Sequence, residues 1–262
     1  TLRGSKLIWA AICSRTGNIS ATSVAERVTP NTKAILVVDW SGRPCDCEQI
    51  RALLPRPIPI IQDAAHSFGA QFEDGSKAHN DKRSGDYVAW SFQAIKHLTS
   101  GDGGALKVPP EQLSRARKLR WFGIDRDTKA KFRFLQDITE AGYKYHMNDL
   151  TASLGLANLD SAIQSVVQHR ENAATLGQLL SSCKNITIAP PSSGSSWWFF
   201  SILTEKWEEF IEFAASKGVQ AGPVHGRNDA YTAHGKSPHP LPGVDFYSSH
   251  HVAIPCGWWL TK

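Results

Sequence analysis

Four short apolar runs between residues 34 and 108 constrain this chain more than any other feature. Ala34-Ile35-Leu36-Val37-Val38 is continuous and β-branched, the pattern of a strand buried on both faces. Ile58-Pro59-Ile60-Ile61, Val88-Ala89-Trp90-Ser91-Phe92 and Gly104-Ala105-Leu106-Lys107-Val108 follow it. Helix-like stretches lie between them or beside them. Thr22 to Val28 stops ahead of Pro30, and Cys47 to Leu54 stops ahead of Pro55. Pro109-Pro110 opens a basic helix to Arg120, and Leu7 to Ile12 reads as one more apolar run. This alternation predicts an α/β domain around a mostly parallel sheet. Ligands of such sheets sit at the carboxyl ends of the strands.

Two residues with complementary chemistry fall at those ends. Asp63 stands just past the 58–61 run, and Lys96 stands past the apolar, aromatic 88–92 run. After Lys96 comes Gly101-Asp102-Gly103-Gly104, a turn whose backbone can approach a neighbour closely. A lysine leaving a buried strand has a lowered pKa and becomes nucleophilic near neutral pH. An amine and a carboxylate on neighbouring strand tips are what pyridoxal phosphate (PLP) requires. The amine forms the Schiff base, and the carboxylate keeps the pyridine nitrogen protonated. Taken singly, Lys96 reads as a surface lysine and Asp63 as a turn cap; their pairing carries the functional reading. His66 could be a hydrogen-bonded core histidine, or it could stack on or donate to a cofactor ring. Ser91, five residues before Lys96, can bring its hydroxyl to a phosphate.

Asn148 is a good N-cap for a long helix running to about Leu180. Ala152, Leu156, Leu159, Ile163 and Val166 follow the spacing of one buried face. A second, smaller α/β unit follows. Ile186 to Ile188, Trp197 to Leu203 and Val219 to Ala221 read as strands, and Thr204 caps a helix to Lys217 that Gly218 ends. His225 to Tyr247 is rich in Gly, Pro, Asn and His and reads as irregular surface. The expected division is residues 1–165 and 166–262.

Asp63-Ala-Ala-His66-Ser-Phe-Gly69, followed by Ser91-Phe-x-x-x-Lys96-x-x-Thr-x-Gly-Asp-Gly-Gly104, resembles the sugar aminotransferases of the DegT/StrS type. Thr16-Gly17-Asn18-Ile19, the stretch from Val28 to Ile35, and Gly142-Tyr143-Lys144-Tyr145-His146-Met147-Asn148-Asp149 extend the resemblance. It implies a PLP-binding large domain of fold type I, here incomplete, and a smaller α/β C-terminal domain. It implies that Lys96 carries PLP and moves the reaction's proton, that Asp63 pairs with the ring nitrogen, and that His66 lies by the ring. Ser91 and Gln93 would bind the phosphate. The family's members are homodimers with shared sites, and an Asn of one subunit reaches the other's phosphate; Lys144 stands at that position. The implied partners are a nucleotide-linked deoxysugar with a keto group and an amino-acid donor, glutamate. Related dehydratases carry histidine in place of the lysine, so Lys96 argues against dehydration. The family extends beyond both ends of this chain, and its amino-terminal Ser-Gly-Thr phosphate segment has no counterpart here. The resemblance therefore implies a chain clipped at both ends, with a homologue that keeps the fold without bound PLP as the alternative.

The net charge of +5 comes from scattered Lys and Arg, which argues against nucleic-acid binding. No apolar stretch reaches membrane-spanning length. Cys13, Cys45, Cys47, Cys183 and Cys256 are an odd, dispersed set without zinc spacing, as expected of reduced cytoplasmic thiols. His225, His234, His239, His250 and His251 lack ligand spacing, so no metal is expected. Trp197-Trp198 and Trp258-Trp259 read as core of the second domain. His225, Arg227 and Asn228 could line a substrate mouth.

Overall fold

The computed structural model describes residues 4–128, 132 and 135–260. Thr1-Leu2-Arg3 and Thr261-Lys262, part of the termini read above as clipped, lie outside the described residues.

The four predicted runs form one sheet in the order β1 (Ile35–Val38), β2 (Ile60–Asp63), β3 (Tyr87–Ser91) and β4 (Gly104–Lys107). β1, β2 and β3 are parallel, and β4 returns antiparallel to β3. Val38 lies opposite Asp63 and Asp63 opposite Ala89, so the carboxyl ends of three strands share one edge. Helix α1 (Ala21–Arg27) is capped by Ser20, and α2 (Cys47–Ala52) by Asp46, which accepts from the N–H groups of Glu48 and Gln49. Both helices pack on one face of the sheet, where Val24, Ile35, Val37, Ile50 and Ile60 are buried together.

Burial of β1 on both faces is not observed. Ile35 and Val37 are covered, but Leu36 is 60% exposed, because α1 and α2 lie on the side of its neighbours only. Leu106 on β4 is similarly open. The Leu7–Ile12 run forms only a bridge between Ile12 and Ile19.

Helix α3 (Leu113–Leu119) buries no residue and carries its basic groups in solvent, with Arg115 gripping Glu140 through two hydrogen bonds. Helix α4 (Asp149–Leu180) starts where expected, with Asn148 Oδ1 accepting from the Thr151 N–H at 3.0 Å. Of the expected face only Val166 is buried. Ala162, Val166, His169 and Ala173 point inward, while Leu156 is 74% exposed and Ile163 half exposed. The inward stripe is the one with small side chains. A Cβ on Gly155 would come within 3.3 Å of Ser100 Cβ, and Asn158 Nδ2 donates to Thr99 O at 3.0 Å. Close approach to the turn after Lys96 excludes the bulky leucines from that side.

The second sheet is antiparallel: β5 (Thr187–Ile188), β6 (Phe200–Leu203) and β7 (His251–Ile254). Helix α5 (Trp207–Ser216) and the far end of α4 close its core around Ala173, Phe200, Ile202, Val252 and Ile254. Strand β6 begins three residues later than expected, because Trp197 adopts a positive φ of 49° that cannot continue a strand. Helix α5 begins at Trp207 rather than at Thr204, whose hydroxyl accepts from the Lys206 N–H in the preceding turn. Val219 to Ala221 is not a strand; a single bridge joins Gly222 to Ala253. The 225–247 stretch includes the start of α6 (Pro242–Ser248).

Asp39, at the carboxyl end of β1, is fully buried. Its carboxylate accepts from Cys45 N (2.8 Å), Gln62 Nε2 (2.8 Å) and Ser67 Oγ (2.6 Å), and it meets His79 Nε2 at 2.7 Å. Truncating such a hub leaves several buried polar groups without partners. Asp39→Ala is expected to cost about 3 kcal/mol or more of unfolding free energy in urea titrations at neutral pH. A loss below about 1 kcal/mol would contradict this reading of the network.

Candidate active site

Asp63 ends β2, and its Oδ1 accepts from the Ala65 N–H at 3.0 Å, which starts the turn that carries His66. Lys96 lies in the connection from β3 to β4. Phe92 N donates to Gly103 O and Ser100 N to Phe92 O, so this loop closes on itself around Lys96. The glycines that end it fulfil a steric need: a Cβ on Gly104 would lie 2.3 Å from Trp90 O. Lys96 N donates to Gln93 O at 2.9 Å.

The geometry places four polar groups within one another's fields. Burial lowers the Lys96 pKa below the ordinary lysine value, and the Asp63 carboxylate opposes that shift. Burial pushes the His66 imidazole far below the ordinary histidine value, and the charge of Lys96 and the neighbouring His225 and His97 add to the effect. His225 is lowered by burial and by Lys96, with Asp63 opposing. His66 is thus neutral, and its buried Nδ1 has no hydrogen-bond partner. His225 lies parallel to His66 with ring centroids 5.8 Å apart, and both rings border Trp40.

Of the residues singled out from the sequence, Asp63, His66 and Lys96 come together, and Ser91 ends β3, the strand next to the one that Asp63 ends. Ser91 Oγ accepts from Gln93 N at 3.3 Å, and Gln93 itself is exposed. Lys144 stands apart from this group. It bridges Trp121 on an exposed stretch, and its charge is felt by His146. Three aromatic residues enlarge the site. Trp40 and His225 border His66, and Trp198 stacks on it with centroids 3.9 Å apart. Trp197 is core, as expected of the pair, but Trp198 is not; it faces Lys96. No local motif marks Trp198, because only the folded chain sets the second sheet's entry loop against the first sheet's edge. Arg227 instead forms an ion-pair cluster with Asp229 and Asp245. Among the described residues no group of three or more His, Cys, Asp or Glu could hold a metal ion.

The chain matches the model of the DegT/DnrJ/EryC1/StrS aminotransferase family over residues 2–262, and it belongs to that family. It is 33% identical to an uncharacterized protein of Methanocaldococcus jannaschii over 65% of this chain and 45% of that one. It is 28% identical to GDP-perosamine synthase of Escherichia coli O157:H7 over 93% of this chain and 63% of that one. The crystal structure of the sugar aminotransferase CalS13 from Micromonospora echinospora superimposes with a TM-score of 0.92 at 28% identity, covering 100% of this chain and 72% of that one. The chain thus spans less than two thirds of the length of the Methanocaldococcus and Escherichia coli relatives.

PLP, the cofactor that the family implies, fits the residues present. A half-buried amine with weakened hold on its proton, a carboxylate within its field, and an unpartnered buried imidazole nitrogen are the donor and acceptor set that such a ring uses.

Two further imidazoles, His97 of the Lys96 loop and His169 of α4, bind the loop that enters β6. His97 Nε2 lies 3.0 Å from Ser196 O, and His169 Nδ1 lies 2.7 Å from Trp197 O, with ring centroids 4.6 Å apart. Each nitrogen facing a carbonyl must donate, which by itself favours the charged ring, but burial outweighs it and keeps both rings neutral. Burial pushes His97 down to about 3, and it lowers His169 as well. A depressed histidine contributes stability that is present above its unfolded value and lost as pH falls through it. Unfolding free energy is expected to drop by about 1 kcal/mol per such imidazole between pH 6.5 and pH 5.5. His97→Gln keeps a donor for Ser196 O and should flatten that slope in denaturant titrations; an unchanged slope would contradict the assignment.

Proposed function

We propose that this protein is a PLP-dependent aminotransferase acting on a nucleotide-linked deoxysugar. One observation carries the reading: Lys96, Asp63 and His66 meet at the carboxyl edge of the first sheet, with their electrostatics coupled. Bound PLP supplies an electron sink for the carbon that gains or loses the amino group. Lys96 would hold the cofactor covalently; once released, its amine would take the proton from the donor's α-carbon and return one to the sugar carbon. Weak hold on a proton suits that exchange near neutral pH. Asp63 would keep the ring nitrogen protonated. His66 would donate to or stack on the ring, and its unpartnered Nδ1 leaves that nitrogen available. Ser91 and Gln93 would bind the phosphate. The sugar substrate is inferred from the E. coli relative, whose name is GDP-perosamine synthase, and the donor is taken as glutamate. We place the border between the two domains at residues 165–166, inside α4, whose far end packs in the second core. The five unpaired cysteines support a cytoplasmic setting.

We infer a homodimer. Leu150, Leu154 and Leu156 on α4 are exposed, next to a stacked, exposed Tyr143–Tyr145 pair. Exposed large apolar side chains gathered in one short segment are what an interface covers. Lys144 lies between the two tyrosines in sequence, within the segment that a second copy would cover, and there it would take the place of the family's phosphate-reaching Asn. Leu156→Glu is expected to convert the dimer to monomer in sedimentation equilibrium; a monomeric parent protein would overturn the inference.

Incubation with PLP is expected to give a visible absorption band, and borohydride should then fix the cofactor on the peptide that contains Lys96. Lys96→Ala should lose both the trapping and at least ~1000-fold of amino transfer from glutamate to a keto-deoxysugar nucleotide. Equal trapping by Lys96→Ala would overturn the assignment.

A further inference from the structure

The loop entering β6 sets an indole against the amine of Lys96. Lys96 Nζ lies 3.7 Å from the Trp198 ring centre. Trp198 also stacks on His66 with centroids 3.9 Å apart. Its Nε1 donates to Ile95 O at 2.9 Å, which pins the peptide that precedes Lys96. Its backbone N donates to Ser41 O at 3.0 Å, tying it to the chain just past β1. The residue before it, Trp197, is held in a left-handed conformation by hydrogen bonds from its N to Ser195 Oγ and from its Nε1 to Ser192 O. Non-glycine residues in that region of backbone space cost energy, and they persist where the surroundings over-determine them. Here the strained residue turns Trp197 into the core and Trp198 toward the site.

We propose that Trp198 is the positioning residue for Lys96: its indole face holds the ε-ammonium by a cation–π contact and aims it into the space bounded by Asp63 and His66. The significance of this role rests on reading Lys96 as the cofactor lysine, but the contact itself does not. An aromatic face favours the charged amine. Asp63 acts in the same direction, while burial opposes both. His66, His97 and His225 also feel the charge of Lys96. These three are held neutral at and above neutral pH, so they do not titrate together with the amine. The indole therefore helps to set the pH at which Lys96 becomes a nucleophile.

The test needs no cofactor. Trace acetylation with acetic anhydride, followed at the Lys96 peptide across roughly pH 6 to 11, gives the titration midpoint of this amine. Trp198→Leu keeps apolar volume but removes the ring, and is expected to lower the midpoint by about 0.5–1 pH unit. Trp198→Phe restores a weaker π face and should recover part of the shift. A Leu profile that coincides with the parent's, or moves upward, overturns the proposal. A second measurement does not depend on Trp198 variants folding. Indole fluorescence of the parent protein should change at the same midpoint, and that change should vanish in Lys96→Met. Persistence of the change in Lys96→Met would overturn the contact. If the midpoint shifts as expected while borohydride fixes no PLP on Lys96, the positioning role stands and the aminotransferase reading fails. If PLP is fixed and no midpoint moves, the reverse holds.

Discussion

The buried carboxylate of Asp39 is the interaction on which the site's geometry depends. It binds Gln62 on one side of Asp63 and Ser67 on the other side of His66. The four-residue arc between Gln62 and Ser67 is therefore fixed at both ends by one acid. Gln62 spends its second polar atom on the Gly85 N–H at 2.8 Å, just before β3, which joins the same hub to the strand that leads to Lys96. The Asp39 N–H donates to Asp63 O at 3.0 Å and continues the β1–β2 ladder to its last residue. Buried polar groups are costly unless fully partnered, and a fully partnered set specifies one arrangement. Here the arrangement specified is the approach of Asp63 and His66 to the edge where Lys96 emerges.

The second unit contributes chiefly through the loop entering β6, with His225 set beside His66 from a later loop. Ser196 Oγ donates to His66 O at 2.8 Å, its backbone carbonyl accepts from His97 Nε2, and Trp198 caps the lysine. Helix α4 adds His169 and Arg170, and Arg170 binds the carbonyls of Gly69 and Ser195. Lys96 is thus half-buried against side chains from both units, although its acid partner and its own loop come from the first alone. Chemistry and positioning are divided between the two units.

The strand tips were legible in the sequence because four apolar runs punctuated by turn residues have few other ways to fold. The order of Asp63, His66, Ser91 and Lys96 along those tips followed directly. The start of α4 was legible from Asn148, whose side chain has one evident use there. The inward face of that helix was not. Two stripes of helical period run along it, and hydrophobicity favours the leucine stripe, whereas close packing against the turn after Lys96 requires the one with Gly155, Asn158 and Ala162. Gln62 carried no visible signal, since a glutamine at a strand end is ordinary until Asp39 is seen beneath it. Trp198 was hidden for a related reason: its role arises from contacts about a hundred residues away in sequence, which no local pattern encodes.

The central claim is that one amine and one acid on adjacent strand tips serve a single flat ring, and a crystal structure of the protein soaked with PLP tests it most directly. The account requires continuous density from Lys96 Nζ into the cofactor, with a carboxylate oxygen of Asp63 within hydrogen-bond distance of the ring nitrogen. Cofactor bound elsewhere, or attached to Lys96 with Asp63 turned away from the ring nitrogen, would contradict it.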